Sequence, residues 1–273
     1  MNLETHITPG RFGGAAGTGA HLLVEGVTVR FGGLTALSEV GFEVPEGQIV
    51  GVIGPNGAGK TTLFNVVCGF TTPQDGRLSL DGAPFRPRPH RLTRHGISRS
   101  LQGLGLFEGL DVLDNIMTGA GVHARSGFWS GLLALPRADR DDRALRDRAE
   151  ALADELGLGD HLHAFPSTLP YAVAKRVALA RTLVSDPRLV LLDEPAGGLS
   201  HDDVQQLAEL ITSLPGRGCS VMLVEHHVDL VMSVCDSLVV LDFGKVIATG
   251  TPAQVRDDPA VAEAYLGAEV PSS

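Results

Sequence analysis

The stretch GPNGAGKTT, residues 54–62, decides the fold of this 273-residue chain. It matches the phosphate-loop pattern GxxxxGK[ST], and it lies between the apolar run QIVGVIG and the helix-like run TTLFNVVCGF. In a strand–loop–helix unit of this kind, loop amides and the helix N-terminus converge on phosphate oxygens. The pattern therefore predicts a nucleotide site formed by Gly54, Pro55, Asn56, Gly57, Ala58, Gly59, Lys60, Thr61 and Thr62.

The chemistry expected of this loop comes from two of its side chains and from an acidic pair further along. The Lys60 amine would neutralise charge on the β- and γ-phosphates, and the Thr61 hydroxyl would bind Mg²⁺. In LVLLDEP, four apolar residues predict a buried strand that delivers Asp193 and Glu194 at its carboxyl end. We expect Asp193 to hold Mg²⁺, directly or through water, and Glu194 to act as general base toward the attacking water.

Composition restricts the class of protein. The net charge of -10 argues against a sequence-blind grip on nucleic acid, which needs a basic surface. No apolar run approaches the roughly 18 residues of a membrane helix, and the N-terminus lacks the pattern of a secretory signal. The three cysteines form no CxxC pair, which is typical of a protein from a reducing cytosol.

Short apolar runs that alternate with helical patterns predict an α/β fold with a mostly parallel sheet. The segments LLVEGVTVRFG and VGFEV, before the phosphate loop, read as half-buried strands. The middle third contains the charged run from Arg137 to Glu150, with five arginines and five acids. Leu145, Ala149 and Leu152 share one face of this predicted helix, so its charges indicate a solvated surface.

Several histidines and one glutamine remain open from the residues alone. His226, after the strand-like VMLVE, suits either contact with a γ-phosphate or a plain edge position, and His227 is expected on the opposite side by strand alternation. Gln102, in RSLQGLGLF, would position water or Mg²⁺ from a loop. The run DHLH, residues 160–163, lacks further ligands at metal-binding spacing.

The order of these motifs resembles the ATP-binding subunits of ABC transporters, over nearly everything from Leu22 to Gly267. The stretches RFGGLTAL, GPNGAGKTTLFNVVCGF, SLQGLGLFEGLDVLDNI, LDEPAGGLS, VEHHVDLVM and GTPAQVRDDPAVAEAYLG are similar to the ATPases of branched-chain amino acid importers. The resemblance implies a P-loop NTPase (RecA-like) core, an N-terminal antiparallel β-subdomain and an inserted α-helical subdomain. It also implies ATP and Mg²⁺ as cofactors.

The resemblance assigns a role to each matching position. Phe31, which on its own is typical of a core residue, matches the aromatic residue that stacks on adenine. Gln102 matches the loop residue that links Mg²⁺ and the γ-phosphate to the membrane partner. Asp193 and Glu194 match the metal and general-base carboxylates, and His226 matches the switch histidine.

Two departures from the family pattern bear on catalysis. The signature that closes over the partner's ATP, usually Ser-Gly-Gly-Gln after a leucine, would consist here of Leu169, Pro170, Tyr171, Ala172 and Val173. We expect Thr168 to cap the signature helix and Pro170 to lie in its first turn. The loop after Glu194 reads GGLS instead of the common Ala-Leu-Asp ending. Both departures concern hydrolysis at one face of a dimer, and neither affects nucleotide binding.

The expected organisation is a single ATPase domain over residues 21–267, between a flexible tail of residues 1–20 and a short tail of residues 268–273. Within the domain we expect a core of residues 21–94 and 166–250, a helical subdomain of residues 95–165 and a C-terminal helix in residues 251–267.

The partners follow from the same resemblance. We expect a second ATP-binding subunit (identical or a sister chain), transmembrane permease subunits and, indirectly, an extracytoplasmic solute-binding protein. A groove near Phe107–Leu110 would receive a cytoplasmic helix of the permease, and the chain would lie at the cytoplasmic face of the membrane. The expected function is ATP hydrolysis that powers import of amino acids, with branched-chain amino acids or related small polar solutes as cargo.

Rival classes make different demands on the sequence. A GTPase would need an Asn-Lys-x-Asp motif, and none occurs. DNA-repair and chromosome ATPases carry coiled-coil insertions or zinc modules, which this chain lacks. A regulatory P-loop ATPase that uses ATP to drive dimerisation remains as the alternative, although Glu194 and His226 argue for hydrolysis.

Overall fold

The structure, a computed structural model, describes residues 18–100, 103–120 and 136–268. The described residues fall into two compact units, which we call the sheet unit (residues 18–100 and 187–268) and the helical unit (residues 103–120 and 136–186). Most of the expected N-terminal tail lies outside the described residues, as does nearly all of the expected C-terminal tail.

The elements follow one another along the chain with short connections. The strands are β1 (Leu22–Phe31), β2 (Leu34–Val44), β3 (Ile49–Ile53), β4 (Asp75–Leu80), β5 (Ala83–Phe85), β6 (Ile97–Arg99), β7 (Leu189–Asp193), β8 (Ser220–Val224), β9 (Ser237–Asp242) and β10 (Lys245–Gly250). The α-helices are α1 (Lys60–Cys68), α2 (Val112–Thr118), α3 (Pro136–Glu155), α4 (Tyr171–Leu183), α5 (His201–Ser213), α6 (Val228–Val234), α7 (Pro252–Arg256) and α8 (Pro259–Ala268). Short 3-10 turns occupy Pro89–His95, Gly159–His161, Pro166–Thr168 and Pro215–Arg217.

The sheet unit contains a six-stranded sheet in the order β10-β9-β3-β8-β7-β6. The neighbours from β9 to β6 all run parallel, and β10 pairs with β9 antiparallel at one edge. Every residue of β3 and of β8 is buried, as continuous apolar strands require when both faces of a parallel sheet are covered. The predicted mostly parallel core is therefore confirmed.

A second sheet of the same unit has the order β2-β1-β4-β5, and all its neighbours are antiparallel. Its inward residues, such as Leu22 and Val29 of β1, join one hydrophobic cluster with Val50 of β3 and Leu63 of α1. This second sheet is the N-terminal antiparallel subdomain that the family resemblance implied, so that part of the fold class is confirmed as well.

The helical unit is built around α2, α3 and α4. Along α3 the predicted apolar face is confirmed, because Ala149 and Leu152 are buried while Arg143 and Asp147 are exposed. Near the C-terminal end of α4, Arg181 is buried and its guanidinium donates to the carbonyl oxygens of Gly105 (2.6 Å) and Leu104 (3.1 Å). Across the described residues, no helix combines the length and apolar character needed to cross a bilayer.

Strand order places the candidate site. Because β8 lies between β3 and β7, Val224 pairs with Val52 on one side and with Asp193 on the other. The chain segments that follow these three parallel strands therefore emerge side by side at one edge of the sheet, where open α/β sheets bind ligands.

Candidate nucleotide-binding site

The phosphate loop connects β3 to α1 through a backbone that only glycine adopts readily. Gly54 and Gly59 have φ angles of 150° and 105°. A Cβ atom added at Gly59 would lie 2.8 Å from the Ala36 carbonyl oxygen, and one at Gly54 would clash with the Leu241 carbonyl oxygen. These close approaches allow the loop to wrap over the first turn of α1, so its backbone amides face a common space.

Lys60 is the first residue of α1 and is 7% exposed. Its ammonium donates to the carbonyl oxygens of Gly54 (2.7 Å) and Pro55 (3.0 Å). Burial lowers the pKa of the Lys60 amine, while the negative charges of Glu194 and Asp193 act in the opposite direction. A buried ammonium held by carbonyl oxygens inside the loop is a cation positioned for phosphate.

Asp193, the last residue of β7, is tied to the neighbouring strand. Its backbone N–H donates to the Ser100 hydroxyl (3.0 Å), and the Ser100 N–H donates to the Leu191 carbonyl (2.8 Å). Burial, followed by the charges of Glu194 and Glu225, raises the pKa of Asp193 to about 6, although Arg99 and Lys60 oppose the shift. The sequence alone had not singled out Ser100, which carries only the weak signal of a hydroxyl two residues before Gln102.

The residues at this edge fit a divalent cation. A half-buried carboxylate whose pKa is raised by two further carboxylates carries negative charge that a metal ion would compensate. Carboxylate and hydroxyl oxygens are ligands that Mg²⁺ prefers. Asp193 supplies the first kind, and the exposed Thr61 at the start of α1 supplies the second.

Glu194 has an unusual backbone conformation for a glutamate. Its φ angle is 46°, in the left-handed region, which costs of order 1–3 kcal/mol for a residue with a side chain. The Glu194 N–H donates to the Val224 carbonyl (2.8 Å), which holds this conformation. The side chain is 49% exposed, and its Oε1 lies 3.7 Å from Nδ1 of His226. Strain of this kind concentrates at functional sites, so the geometry agrees with a catalytic candidate.

His226 is half exposed, and its ring lies beside that of His227, with centroids 4.5 Å apart. The expectation that His227 faces away is therefore wrong. Strand alternation does not apply there, because β8 ends at Val224 and the chain turns into α6, with His227 as its N-cap residue. His226 follows directly from the central strand of the site and thus reaches Glu194 of the neighbouring strand.

Glu225 and Tyr265 are two further residues of the site that sequence reasoning missed. The Glu225 carboxylate is fully buried and lies between the phosphate-loop strand and the acidic strand. Tyr265 of α8 hydrogen-bonds to the Gly54 backbone, although burial is the larger effect and raises the pKa of its phenol. The only signal in the sequence was a charged residue directly after an all-apolar strand, in VMLVEHH.

Phe31 and Gln102 are placed differently by the structure. Phe31 ends β1 and is 55% exposed, so it is accessible to a ligand and is not a core residue. Gln102 lies outside the described residues, and its expected contacts to Mg²⁺ and water stay predictions.

The expected signature residues belong to the helical unit. Pro170 is the N-cap residue of α4 and offers no side-chain cap. The expected cap by Thr168 is wrong, because Thr168 ends a 3-10 turn and its hydroxyl donates to the Phe165 carbonyl (2.8 Å). Tyr171 is exposed, whereas Val173 is 6% exposed. The N-terminal amides of α4 are thus left without a side-chain acceptor among the described residues.

Comparison with known proteins agrees with this architecture. The family model described as ABC transporter matches residues 37–197, and one described as branched-chain amino acid ATP-binding cassette transporter matches residues 245–271. The chain is 39% identical over 248 residues to the high-affinity branched-chain amino acid transport ATP-binding protein BraF of Pseudomonas aeruginosa, covering 90% of this chain and 97% of that protein. It is 38% identical, with the same coverage, to the Escherichia coli protein LivG, of the same description.

Two other comparisons extend the picture. The lipopolysaccharide export system ATP-binding protein LptB of Haemophilus influenzae is 32% identical, covering 90% of this chain and 97% of that protein. Among solved structures, the ADP conformation of MJ1267, an ATP-binding cassette of an ABC transporter, superposes with a TM-score of 0.78. That likeness has 27% identity and covers 91% of this chain and 99% of the other.

The fold and the site define a phosphate-loop nucleoside triphosphatase whose acidic pair and histidine follow adjacent strands. The chain belongs to the ABC transporter family, as one of its ATP-binding, ATP-hydrolysing subunits, and the resemblance to the branched-chain amino acid transport members is confirmed.

Proposed function

We propose that this subunit hydrolyses ATP to power import of branched-chain amino acids or related small polar solutes. The observation that carries the hydrolytic part is the convergence of the Lys60 loop, Asp193, Glu194 and His226 on one sheet edge. The cargo is argued from the relatives that transport branched-chain amino acids and from the family match of residues 245–271.

Each site residue has a physical role in this proposal. The loop amides and the Lys60 ammonium bind the β- and γ-phosphates, and exposed Phe31 stacks on the adenine. Thr61, Asp193 and Gln102 hold Mg²⁺, which supplies charge neutralisation on the phosphates when bound. Glu194 accepts a proton from the attacking water, and His226 contacts the γ-phosphate from the adjacent strand end.

The proposed assembly contains two ATP-binding subunits at the cytoplasmic face of the membrane, docked on permease subunits that an extracytoplasmic binding protein supplies with solute. The loop at Phe107–Leu110 favours the docking role. Buried Asn115 accepts from the Phe107 N–H (2.8 Å) and donates to the carbonyls of Phe107 (3.1 Å) and Leu110 (3.0 Å). This bracing presents Phe107 with 55% of its surface exposed, as a recognition site for an apolar helix requires.

Uptake and co-purification test the proposal together. Deleting the gene in its source organism should abolish high-affinity uptake of radiolabelled leucine, and wild-type protein should restore it while the Lys60→Ala variant should not. Tagged protein should also bring a permease chain with it from detergent-solubilised membranes. Unchanged uptake of leucine, isoleucine and valine would contradict the cargo. ATP-dependent dimers that copurify with no membrane protein would instead support the regulatory alternative.

A further inference from the structure

Glu225 combines a charge with complete burial. It stands between Val224, the last residue of β8, and His226, and it has 0% exposure. A buried carboxylate is costly unless hydrogen bonds compensate for lost hydration, and removing such a group from a network is strongly unfavourable. Its retention here calls for a purpose that an apolar residue at the end of an otherwise apolar strand would not serve.

Three backbone N–H groups compensate the charge, and they come from two separate segments. Oε1 accepts from the N–H of Ala196 at 2.8 Å. Oε2 accepts from the N–H groups of His226 (2.7 Å) and His227 (3.0 Å). One oxygen thus holds the segment that follows Glu194, and the other holds the segment that carries His226.

We propose that Glu225 is a positioning residue for ATP hydrolysis, because its carboxylate clamps the segment after Glu194 to the segment that carries His226. The two candidate catalytic side chains, 3.7 Å apart, belong to different strand ends, and Glu225 is the side chain that joins those ends. This inference rests on the proposed function, since it assigns Glu225 to the same site. Glu225 touches neither water nor phosphate in this scheme and acts through the backbone.

A metal-binding role fits the same residues less well. Ligand atoms of Glu225, His226 and His227 lie within 4.8 Å of one another. However, the carboxylate oxygens already accept three backbone N–H groups, and the side chain has no exposed surface. A cation would have to displace hydrogen bonds that hold the loop, so the positioning role is the one that the geometry supports.

Replacing the carboxylate by an amide separates the two halves of this clamp. The glutamine in Glu225→Gln keeps the size of the side chain but has only one acceptor oxygen. If that oxygen faces the two histidine N–H groups, the amide NH₂ meets the Ala196 N–H, and two donors then oppose each other. We therefore expect Glu225→Gln to release the segment that follows Glu194 while His226 and His227 remain bonded.

The experiment measures steady-state ATP hydrolysis, ATP affinity and hydrogen exchange on the full-length protein. We expect Glu225→Gln to lower kcat by about 10-fold or more, the scale seen when a group that orients a catalytic residue is lost. ATP affinity should be unchanged, and backbone amides in residues 194–199 should exchange faster. Glu209→Gln, which removes the same charge at an exposed position of α5, should behave as wild type.

Combination with Glu194→Gln distinguishes positioning from a separate effect. If Glu225 acts by placing Glu194, Glu225→Gln should slow hydrolysis little further in the Glu194→Gln background. Multiplying effects would overturn the proposal, and so would a wild-type kcat in Glu225→Gln while Glu194→Gln is slow. If Glu194→Gln itself hydrolyses ATP at the wild-type rate, the general-base assignment of the proposed function fails as well.

A second variant covers poor folding of the first. Glu225→Asp keeps the charge but is one methylene shorter, so it cannot bond both segments at the observed distances. We expect a kcat reduction of the same order with unchanged ATP affinity. Wild-type turnover in this variant, or loss of ATP affinity in proportion to turnover, would show that Glu225 serves folding alone.

Discussion

Nδ1 of His226 lies 3.7 Å from Oε1 of Glu194, across two neighbouring parallel strands of the sheet. The Glu194 backbone is held in a left-handed conformation by its bond to the Val224 carbonyl, one strand away. A carboxylate that is half exposed and directed at an imidazole has access to both a water molecule and a phosphate-sensing partner. This arrangement gives the general-base assignment a direct test.

Glu194→Gln should leave ATP binding intact and slow turnover by about 10²-fold or more, because the amide cannot accept the proton of the attacking water. The same variant should accumulate an ATP-bound dimer that elutes early in gel filtration. Phosphate release and elution volume are the measurements, with the exposed Glu209→Gln as the matched control. Wild-type turnover would mean that another group is the base.

Lys60→Ala should abolish tight ATP binding. The buried ammonium provides the positive charge within the loop, and loss of a charge-assisted contact costs about 1.5–3 kcal/mol, or roughly 10- to 150-fold in Kd. Titration with a fluorescent ATP analogue measures the change. The exposed Lys245→Ala is the control for loss of a lysine, and its Kd should match that of the wild type. Equal affinities in the two variants would refute the phosphate-loop assignment.

Asp193→Asn should stabilise the protein in the absence of nucleotide and metal. The folded-state pKa of Asp193 is raised from 3.8 to about 6, so between these pH values the folded state binds more protons than the unfolded state. The ionised carboxylate therefore destabilises the fold above pH 6, and protonation relieves this as the pH falls. After allowance for solvent screening, we expect a gain of about 1–2 kcal/mol at neutral pH.

Urea unfolding in the presence of a chelator measures this gain at several pH values. The difference between Asp193→Asn and wild type should be largest at neutral pH, fall to about half near pH 5 and approach zero below pH 4. Asp147→Asn, an exposed change in α3, should show no such pH dependence. A stability gain that is independent of pH would argue against a strained Asp193 carboxylate.

Ala172→Gly tests the weakened signature. In this family the signature helix closes over ATP bound to the opposite subunit, and the Ala172 methyl group stands where glycine permits close approach. Homodimers of Ala172→Gly should hydrolyse ATP severalfold faster than the wild type. With a sister subunit that has an intact signature, the gain should be confined to the ATP that faces this chain's α4.

The control for that change is Ala178→Gly, which introduces the same helix-weakening residue further along α4 at a similarly half-buried position. It should not accelerate hydrolysis. Unchanged ATPase activity in Ala172→Gly, both in the homodimer and in the complete transporter, would show that this methyl group does not limit closure.

The sequence by itself determined every feature that is encoded within one short segment. The phosphate loop, the buried strand ending at Asp193 and the apolar face of α3 were predicted because turn glycines and hydrophobic periodicity act between near neighbours. The mostly parallel sheet followed from the alternation of such segments. Domain boundaries, the contacts of Gln102 and the catalytic roles stay predictions.

Only the tertiary structure decided how distant segments meet. Insertion of β8 between β3 and β7 joins residues far apart in sequence, and no local pattern specifies that order. It places buried Glu225 beside Ala196 and puts His226 within reach of Glu194. The helix start at Pro170 and the adjacent rings of His226 and His227 were also missed, because each depends on where an element ends. Those end points are set by packing and long-range hydrogen bonds, which outweigh the local preferences of single residues.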